Sequence, residues 1–147
     1  MLNTVKELKT MEKDAAEALT GLLQRVPALV VEDAELERAD GPDRGADFLA
    51  HVTVGGRRHT LVCQVKSNGQ PRHVRLGLLQ LRNYTAHFDR EAVPIFVAPY
   101  LSPEAQALCN DYKVGFLDLV GNASIIFDSV FIERQVESKP NTERREL

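Results

Sequence analysis

Apolar residues recur at intervals of three and four in two long stretches of the chain. From about Thr4 to Arg25 they alternate with charged residues, which predicts an amphipathic helix that Pro27 would end. A second such stretch, from Val74 to Phe88, predicts another helix that buries one of its faces. A third helix is expected from Ser102 to about Asp111, because a hydroxyl cap, a proline and a glutamate follow one another at its start.

Short apolar runs between these helices predict strands. Asp47–Val54 and His59–Lys66 flank Gly55-Gly56, and two glycines accept the positive φ angles of a tight hairpin turn. Further strands are expected at Leu29–Glu37, Val93–Ala98, Val114–Leu117 and Ala123–Ile132.

The predicted order is one helix, three strands, a helix, a strand, a helix and then one or two strands. Strands that alternate with helices favour parallel pairing, whereas the early hairpin is antiparallel. We therefore expect an α/β fold, with a mixed central sheet flanked by helices on both faces. We expect one domain at residues 1–132, followed by a polar and flexible tail at residues 133–147.

Polar residues end the second hairpin strand. Side chains alternate between the two faces of a strand, so Gln64 and Lys66 share one face with Val62. An ammonium at the end of an apolar strand needs a nearby anion or ligand. Asp47, at the start of the preceding strand, is the nearest candidate for that anion.

Composition narrows the class of protein. Hydrophobic residues make up 44% of the 147 residues and charged residues 27%, which is typical of a globular domain. Cys63 and Cys109 lie in apolar segments without metal-type spacing, so we expect buried, reduced thiols. No apolar run is long enough to span a membrane and the N-terminus is too charged for a signal peptide, which favours a soluble cytoplasmic protein.

Charge is unevenly distributed along the chain. The net charge of −3 gives no overall basic surface, so nucleic-acid binding would need a local patch. Residues 32–47 are mostly acidic, whereas residues 57–90 are mostly basic. A solvated charged face is the alternative to a binding surface. As a binding surface, the basic segment would contact DNA phosphates through Arg57, Arg58, Arg72, Arg75 and Arg82.

The polar residues and their order resemble the PD-(D/E)xK nuclease superfamily. The resemblance rests on Gly45-Ala46-Asp47, the hairpin, Gln64-Val65-Lys66 and Gln80 in the following helix. It continues through Leu101–Ala105, Gly115–Asp118 and Gly121-Asn122, and it covers most of Val5–Ile126. It is strongest to Mrr-type restriction endonuclease domains, whose motif has glutamine where most relatives have an acid. A restriction-endonuclease-like fold and metal-dependent endonuclease hydrolysis of DNA are what this resemblance implies.

The resemblance also implies a catalytic set of Asp47, Gln64, Lys66 and Gln80. Asp47 would be the main ligand of Mg²⁺, or of Mn²⁺ in its place, with the Gln64 amide oxygen and the Val65 carbonyl as further ligands. Lys66 would orient or deprotonate the attacking water, or stabilise the charge that develops on the phosphate. Each residue also has a plain structural interpretation, as a turn-capping aspartate, a buried amide or a solvated lysine.

Two helices could complete this site. Gln80 is predicted to lie on a stripe with Gly77, Tyr84 and His87, opposite the apolar face, from which it could reach the site or a DNA phosphate, or face solvent. The N-terminal helix supplies a glutamate in many superfamily members. By resemblance Glu17 is the candidate metal ligand, with Glu7 and Glu12 as alternatives.

Two classes of function follow from these expectations. One is a metal-dependent DNA endonuclease, and the other is a non-catalytic DNA-binding or oligomerising relative that keeps the fold. The sequence contains no helix-turn-helix or zinc module, so specificity would come from a partner, a fused domain, a homodimer or the shape of the DNA.

Overall fold

Within the part of the chain that the structure describes, seven strands form a single sheet in which they lie side by side in sequence order. The computed structural model describes residues 2–27, 29–31, 47–88 and 92–136, without the side chains of residues 2–10 and 31. The strands are β1 (Leu29–Val31), β2 (Phe48–Val54), β3 (Arg57–Val65), β4 (Ala92–Ala98), β5 (Gly115–Asp118), β6 (Ala123–Phe127) and β7 (Val130–Arg134). The helices are α1 (Leu2–Leu23), α2 (Pro71–Thr85) and α3 (Pro103–Asp111).

The sheet is mixed, as predicted. Strands β1, β2 and β3 pair antiparallel, β3, β4 and β5 pair parallel, and β5, β6 and β7 pair antiparallel. The parallel strands are joined by α2 and α3, because a chain that leaves one end of a sheet must cross back before it can pair in the same direction.

Helices cover both faces of the sheet. Helix α1 buries Ala15 and Leu19 against the face that carries Leu61 and Cys63. Helices α2 and α3 cover the opposite face, which carries Val62. The alternation of β3 side chains between two cores confirms the predicted assignment of its faces, and with it the α/β class. No helix in the described part of the chain is both long and apolar enough to cross a membrane.

Two local predictions are confirmed in detail. Gly55 and Gly56 have φ angles of +55° and +84°, which are the positive values that a two-residue hairpin turn needs. Helix α3 begins at a capped N-terminus, where the Ser102 side chain accepts a hydrogen bond of 3.2 Å from the backbone nitrogen of Ala105.

The end of the sheet differs from the prediction. Ala123–Ile132 was expected as one strand, but it folds as the hairpin of β6 and β7, which turns at Asp128-Ser129. Asp128 has a φ angle of +52°, a conformation that aspartate tolerates better than most residues, so an aspartate-serine pair can make this turn without glycine. Strand β7 extends to Arg134, two residues past the expected end of the domain.

Other boundaries also moved. Helix α2 ends at Thr85 rather than at Phe88, and it starts at Pro71 rather than at Val74. Of the strand expected at Leu29–Glu37, only Leu29–Val31 lies within the described residues. The remainder of that strand, the acidic residues before Asp47 and the tail from residue 137 onward lie outside them.

Candidate active site

The carboxyl ends of the parallel strands meet at one edge of the sheet. Lys66 follows β3 at this edge, where its backbone nitrogen donates a hydrogen bond of 2.9 Å to the carbonyl of Val97 in β4. Helices α2 and α3 both start from the same edge. In sheets of this kind ligands bind outside the carboxyl ends of the strands, so this edge is where a site is expected.

Asp47 is attached to the strand that carries the predicted site residues. Its backbone nitrogen donates to the carbonyl of Cys63 at 2.7 Å, and its Oδ2 accepts a hydrogen bond of 2.6 Å from the backbone nitrogen of Val65. Val65 lies between Gln64 and Lys66, so the structure brings the Asp47 carboxylate to the peptide that joins them. The expected ion pair is not formed, since Lys66 makes none with Asp47 or with any other carboxylate that the structure describes.

Gln64 is buried beneath α2. Its side chain is only 4% exposed, and its Oε1 makes no hydrogen bond within the described part of the chain. Gly77 of α2 lies directly above it, because a Cβ at that position would be 3.1 Å from Oε1 and 2.9 Å from Cε1 of Phe96. A glycine here lets the helix approach the sheet closely. The prediction that placed Gly77 opposite the buried face of α2 was therefore wrong, since Gly77 is buried with Val74 and Leu78.

Lys66 lines a groove between the end of β3 and the first turns of α2. The groove has a volume of about 330 Å³, and we call it the Lys66 groove. Among the described residues, its lining contains cationic and polar side chains but no acidic one. Helix α2 has no acidic residue in its first turn, and its N-cap Gln70 makes no capping hydrogen bond through its side chain. A groove with this lining suits an anion. The residues that line it are Lys66, Ser67, Asn68, Arg72, His73, Leu76, Gly77 and Gln80.

The other proposed site residues are not all nearby. Gln80 is exposed and lines the Lys66 groove. Val65 is buried in the core on the α1 side of the sheet, and its backbone nitrogen is occupied by Asp47. Glu17 is an exposed residue of α1, which packs against the face opposite α2. The described residues contain no group of three or more histidines, cysteines, aspartates or glutamates that could hold a metal ion.

The predicted basic segment does not form one patch. Arg57 and Arg58 start β3, so they lie about 30 Å from Lys66 at the other end of that strand. Arg72 lines the Lys66 groove, and Arg75 is exposed one turn further along α2. Arg82 lies in the last turn of α2, about 15 Å from Arg72 along the helix axis. The length of β3 thus separates the arginines at its start from those near the Lys66 groove, although all belong to one basic segment of the sequence.

Both cysteines are core residues, as expected. Burial raises the pKa of the Cys63 thiol far above its usual value, and the nearby Asp47 carboxylate raises it further. Burial also raises the pKa of Cys109 to about 12. Neither thiol is available as a nucleophile or as a metal ligand in the folded protein.

Two polar arrangements were not anticipated from the sequence. Asp118 is buried and accepts five hydrogen bonds of 2.8–3.1 Å, including one from the backbone nitrogen of Leu101, so it anchors the connection between β4 and α3. At the opposite end of the sheet, Nε2 of the buried His59 lies 2.9 Å from Oδ2 of Asp128. That hydrogen bond lowers the pKa of Asp128, with help from the charge of Arg57.

Comparisons with known proteins give structural similarities only. Neither a protein-family model nor a curated protein sequence matches the chain. The MspJI restriction endonuclease, solved in complex with a 27-mer oligonucleotide, is similar with a TM-score of 0.47 and 22% identity, over 78% of this chain and 28% of that one. EndoMS in a complex with dsDNA is similar with a TM-score of 0.40 and 18% identity, over 69% of this chain and 42% of that one. An XisH family protein from Nostoc punctiforme is similar with a TM-score of 0.43 and 15% identity, over 71% of this chain and 91% of that one. This chain thus spans less than half the length of each of the first two.

Proposed function

We propose that the chain is a metal-dependent endonuclease that hydrolyses DNA phosphodiester bonds, with Gln64 in the position where most PD-(D/E)xK nucleases have an acid. The observation that carries the proposal is the hydrogen bond between Asp47 and Val65, because it holds a carboxylate against the Gln64–Lys66 segment at the edge where the Lys66 groove opens. Asp47 directly precedes β2, Gln64 lies in β3 and Lys66 directly follows it, so the pairing of these two strands supports the proposal that the three residues form one site.

The donor atoms at this edge fit a hard divalent cation. Oδ1 of Asp47 and Oε1 of Gln64 both lack a partner among the described residues, and Mg²⁺ prefers oxygen ligands and needs only one or two carboxylates. Asp47 and Gln64 would hold Mg²⁺ or Mn²⁺, with the Val65 carbonyl as a further ligand. When bound, such an ion polarises a phosphoryl oxygen and lowers the pKa of a bound water. Glu17 is the weakest member of the set, since α1 lies across the sheet from α2.

The side chains of the groove would position the substrate. Lys66 has no described carboxylate partner, so its ammonium is free to neutralise a phosphate and to orient the attacking water. Gln80 can donate its amide to a phosphate oxygen. Arg72 and His73 line the same groove and can hold the neighbouring phosphate. All four of these side chains line the Lys66 groove.

A non-catalytic DNA-binding relative is the second candidate. One observation favours it, namely that Asp47 belongs to no group of three or more histidines, cysteines, aspartates or glutamates that could hold a metal ion within the described residues. The cationic Lys66 groove would serve this function as well as the first. The two candidates differ in whether a bound phosphodiester is cut.

Nicking of supercoiled plasmid with and without Mg²⁺ or Mn²⁺ separates them. We expect metal-dependent nicking by the wild type, and none by Asp47→Asn or Lys66→Ala. Binding of DNA should persist or tighten in Asp47→Asn, because removing a negative charge relieves repulsion of the phosphate. Gln64→Glu restores an acidic ligand and should tighten metal binding, measured by titration calorimetry.

Matched controls are available on α3 and just after it. Asp111→Asn and Lys113→Ala make the same chemical changes at exposed positions away from the groove and should nick like the wild type. If neither the wild type nor Gln64→Glu nicks duplex, branched or single-stranded DNA with either metal, the nuclease proposal is wrong. The non-catalytic candidate would then account for the groove.

A further inference from the structure

A second groove borders the Lys66 groove at the same edge of the sheet. It has a volume of about 540 Å³ and lies between the loop that follows β3 and the loop that follows β4. Ser67 and Asn68 line both grooves, so the two adjoin each other. We call it the Tyr100 groove, after the half-buried aromatic residue in its lining.

The lining of the Tyr100 groove has a different chemistry from that of its neighbour. The described residues that line it include no charged one, and its surface is provided by Tyr100, Pro71 and Pro99 together with uncharged polar groups. The phenol of Tyr100 bonds to no residue that the structure describes. Its volume lies within the usual range for small-ligand sites, about 300–1,000 Å³. An uncharged groove with an aromatic ring suits a flat heterocycle rather than a phosphate.

Backbone contacts hold the two loops of this groove in place. Gly69 packs so closely on the carbonyl oxygen of Tyr100 that any side chain at position 69 would collide with it. Next to Tyr100, the backbone nitrogen of Leu101 donates to the buried carboxylate of Asp118. The groove is therefore formed before any ligand enters, which reduces the entropy lost on binding.

We propose that the Tyr100 groove accepts the base of an unpaired nucleotide whose phosphate lies in the Lys66 groove. This inference rests on the proposed function in taking that phosphate to belong to DNA. The charged groove fits the phosphate and the adjoining aromatic groove fits the base, in the order in which a nucleotide presents them. Inside a duplex both faces of a base are stacked and its edge is paired, so only an unpaired base can lie on Tyr100. The preferred substrate is then a single-stranded or unpaired segment of DNA.

Binding of a fluorescently labelled oligo(dA) strand, alone or annealed to oligo(dT), tests the inference. The measurement is fluorescence anisotropy in EDTA, so that neither metal binding nor cleavage affects it. We expect the single strand to bind at least about tenfold more tightly than the duplex. Tyr100→Leu should weaken single-strand binding about tenfold, within the range that base–aromatic stacking provides, whereas Tyr100→Phe keeps the ring and should bind like the wild type.

Tyr112→Leu is the matched control, because Tyr112 is also half-buried but lies at the far end of α3. Thermal unfolding shows whether Tyr100→Leu is folded. If it is not folded, tyrosine fluorescence replaces this test. DNA binding should then change the tyrosine emission of the wild type, and the change should be lost in Tyr100→Phe, which keeps the shape of the side chain. Equal affinity for single strand and duplex, no binding of the single strand, or equal binding by Tyr100→Leu and Tyr112→Leu would each overturn the inference.

The outcome is separable from that of the nuclease proposal. If single-strand binding depends on the Tyr100 ring but no metal-dependent nicking occurs, the proposal for the Tyr100 groove is supported and the nuclease proposal is wrong. If duplex plasmid is nicked but Tyr100→Leu does not change single-strand binding, the nuclease proposal is supported and the proposal for the Tyr100 groove is wrong.

Discussion

Oδ2 of Asp47 accepts a hydrogen bond of 2.6 Å from the backbone nitrogen of Val65, a residue 18 positions further along the chain. The register of the hairpin makes this contact possible, since β2 and β3 pair continuously from Val54 and Arg57 at the turn to Phe48 and Cys63. Asp47 follows at the open end, where the carboxylate takes the hydrogen bond of the next backbone donor on β3. A shift of one residue in the pairing of β2 with β3 would turn the Gln64 side chain toward α1, and the candidate site would no longer form.

Replacing Asp47 separates its structural role from its charge. Asp47→Asn keeps an oxygen acceptor for Val65 and should change the free energy of unfolding by less than about 1 kcal/mol. Asp47→Ala leaves the Val65 nitrogen without its partner and should cost about 1.5–3 kcal/mol, the usual worth of a hydrogen bond to a charged group. Urea unfolding measures both. Equal stabilities of the two variants would mean that the bond contributes nothing to folding.

A methyl group at position 77 should push α2 away from the sheet. Gly77→Ala would place its Cβ 2.9 Å from the ring of Phe96, which is fully buried and cannot move aside. We expect a net loss of roughly 1–2 kcal/mol, because overpacking outweighs the gain of about 1 kcal/mol in helix propensity. Gly21→Ala in α1 is the control. No described atom outside the adjacent backbone of α1 lies within 4 Å of the added Cβ, so this variant should stabilise the protein by about 0.5–1 kcal/mol. A stabilised Gly77→Ala would contradict the close packing.

The Gln64 side chain should lower the stability of the fold while it is needed for nicking. Gln64→Met keeps the length of the side chain and removes a buried oxygen that has no partner, so it should raise the free energy of unfolding by roughly 1 kcal/mol while nicking is lost. Gln106→Met is the matched control, because the Gln106 amide donates a hydrogen bond of 2.8 Å to the carbonyl of Leu101. That variant should lose about 1 kcal/mol instead. If both variants lose stability equally, Gln64 has a partner in solution.

The salt dependence of DNA binding distinguishes the two groups of arginines. Arg72→Ala and Arg75→Ala should each reduce the slope of log affinity against log salt by roughly one unit, because each removes one phosphate contact near the Lys66 groove. Arg58→Ala, at the other end of β3, should leave the slope unchanged if DNA contacts only the groove. A reduced slope for Arg58→Ala alone would place the DNA at the turn of the hairpin.

The features that the sequence predicted correctly are those that depend on neighbouring residues. The Gly55-Gly56 turn, the capped start of α3 and the two-face alternation of β3 each follow from local sterics or from a period of two. These rules placed Gln64 and Lys66 on one face and Asp47 beside their strand.

The errors concern properties that depend on distance in the fold. Gly77 fits an exposed stripe by helical spacing, yet it is buried because its missing side chain makes room for Gln64. Arg57 and Arg72 belong to one basic segment, yet a nine-residue strand separates them. The Asp128-Ser129 turn is hidden in an apolar run. Its signal was an aspartate followed by a serine, a pair that is common in turns.

The pair of His59 and Asp128 gives the fold a defined dependence on pH. The hydrogen bond from His59 lowers the pKa of Asp128 below its ordinary value of 3.8, so the folded state holds this carboxylate in its charged form more strongly than the unfolded state does. Such a group stabilises the fold above the unfolded pKa, and its contribution is lost as the pH falls through the folded value. Asp128→Asn should therefore be less stable than the wild type near pH 7, and the difference should shrink as the pH falls through the lowered pKa of Asp128.

Asparagine is the appropriate replacement because it also tolerates the φ angle of +52° at this turn, so the charge changes while the backbone does not. Urea unfolding midpoints at a series of pH values measure the effect, with Asp111→Asn on the exposed end of α3 as the control. A difference between Asp128→Asn and the wild type that stays constant from pH 7 to pH 3 would show that the lost contact, and not the ionisation of Asp128, is responsible.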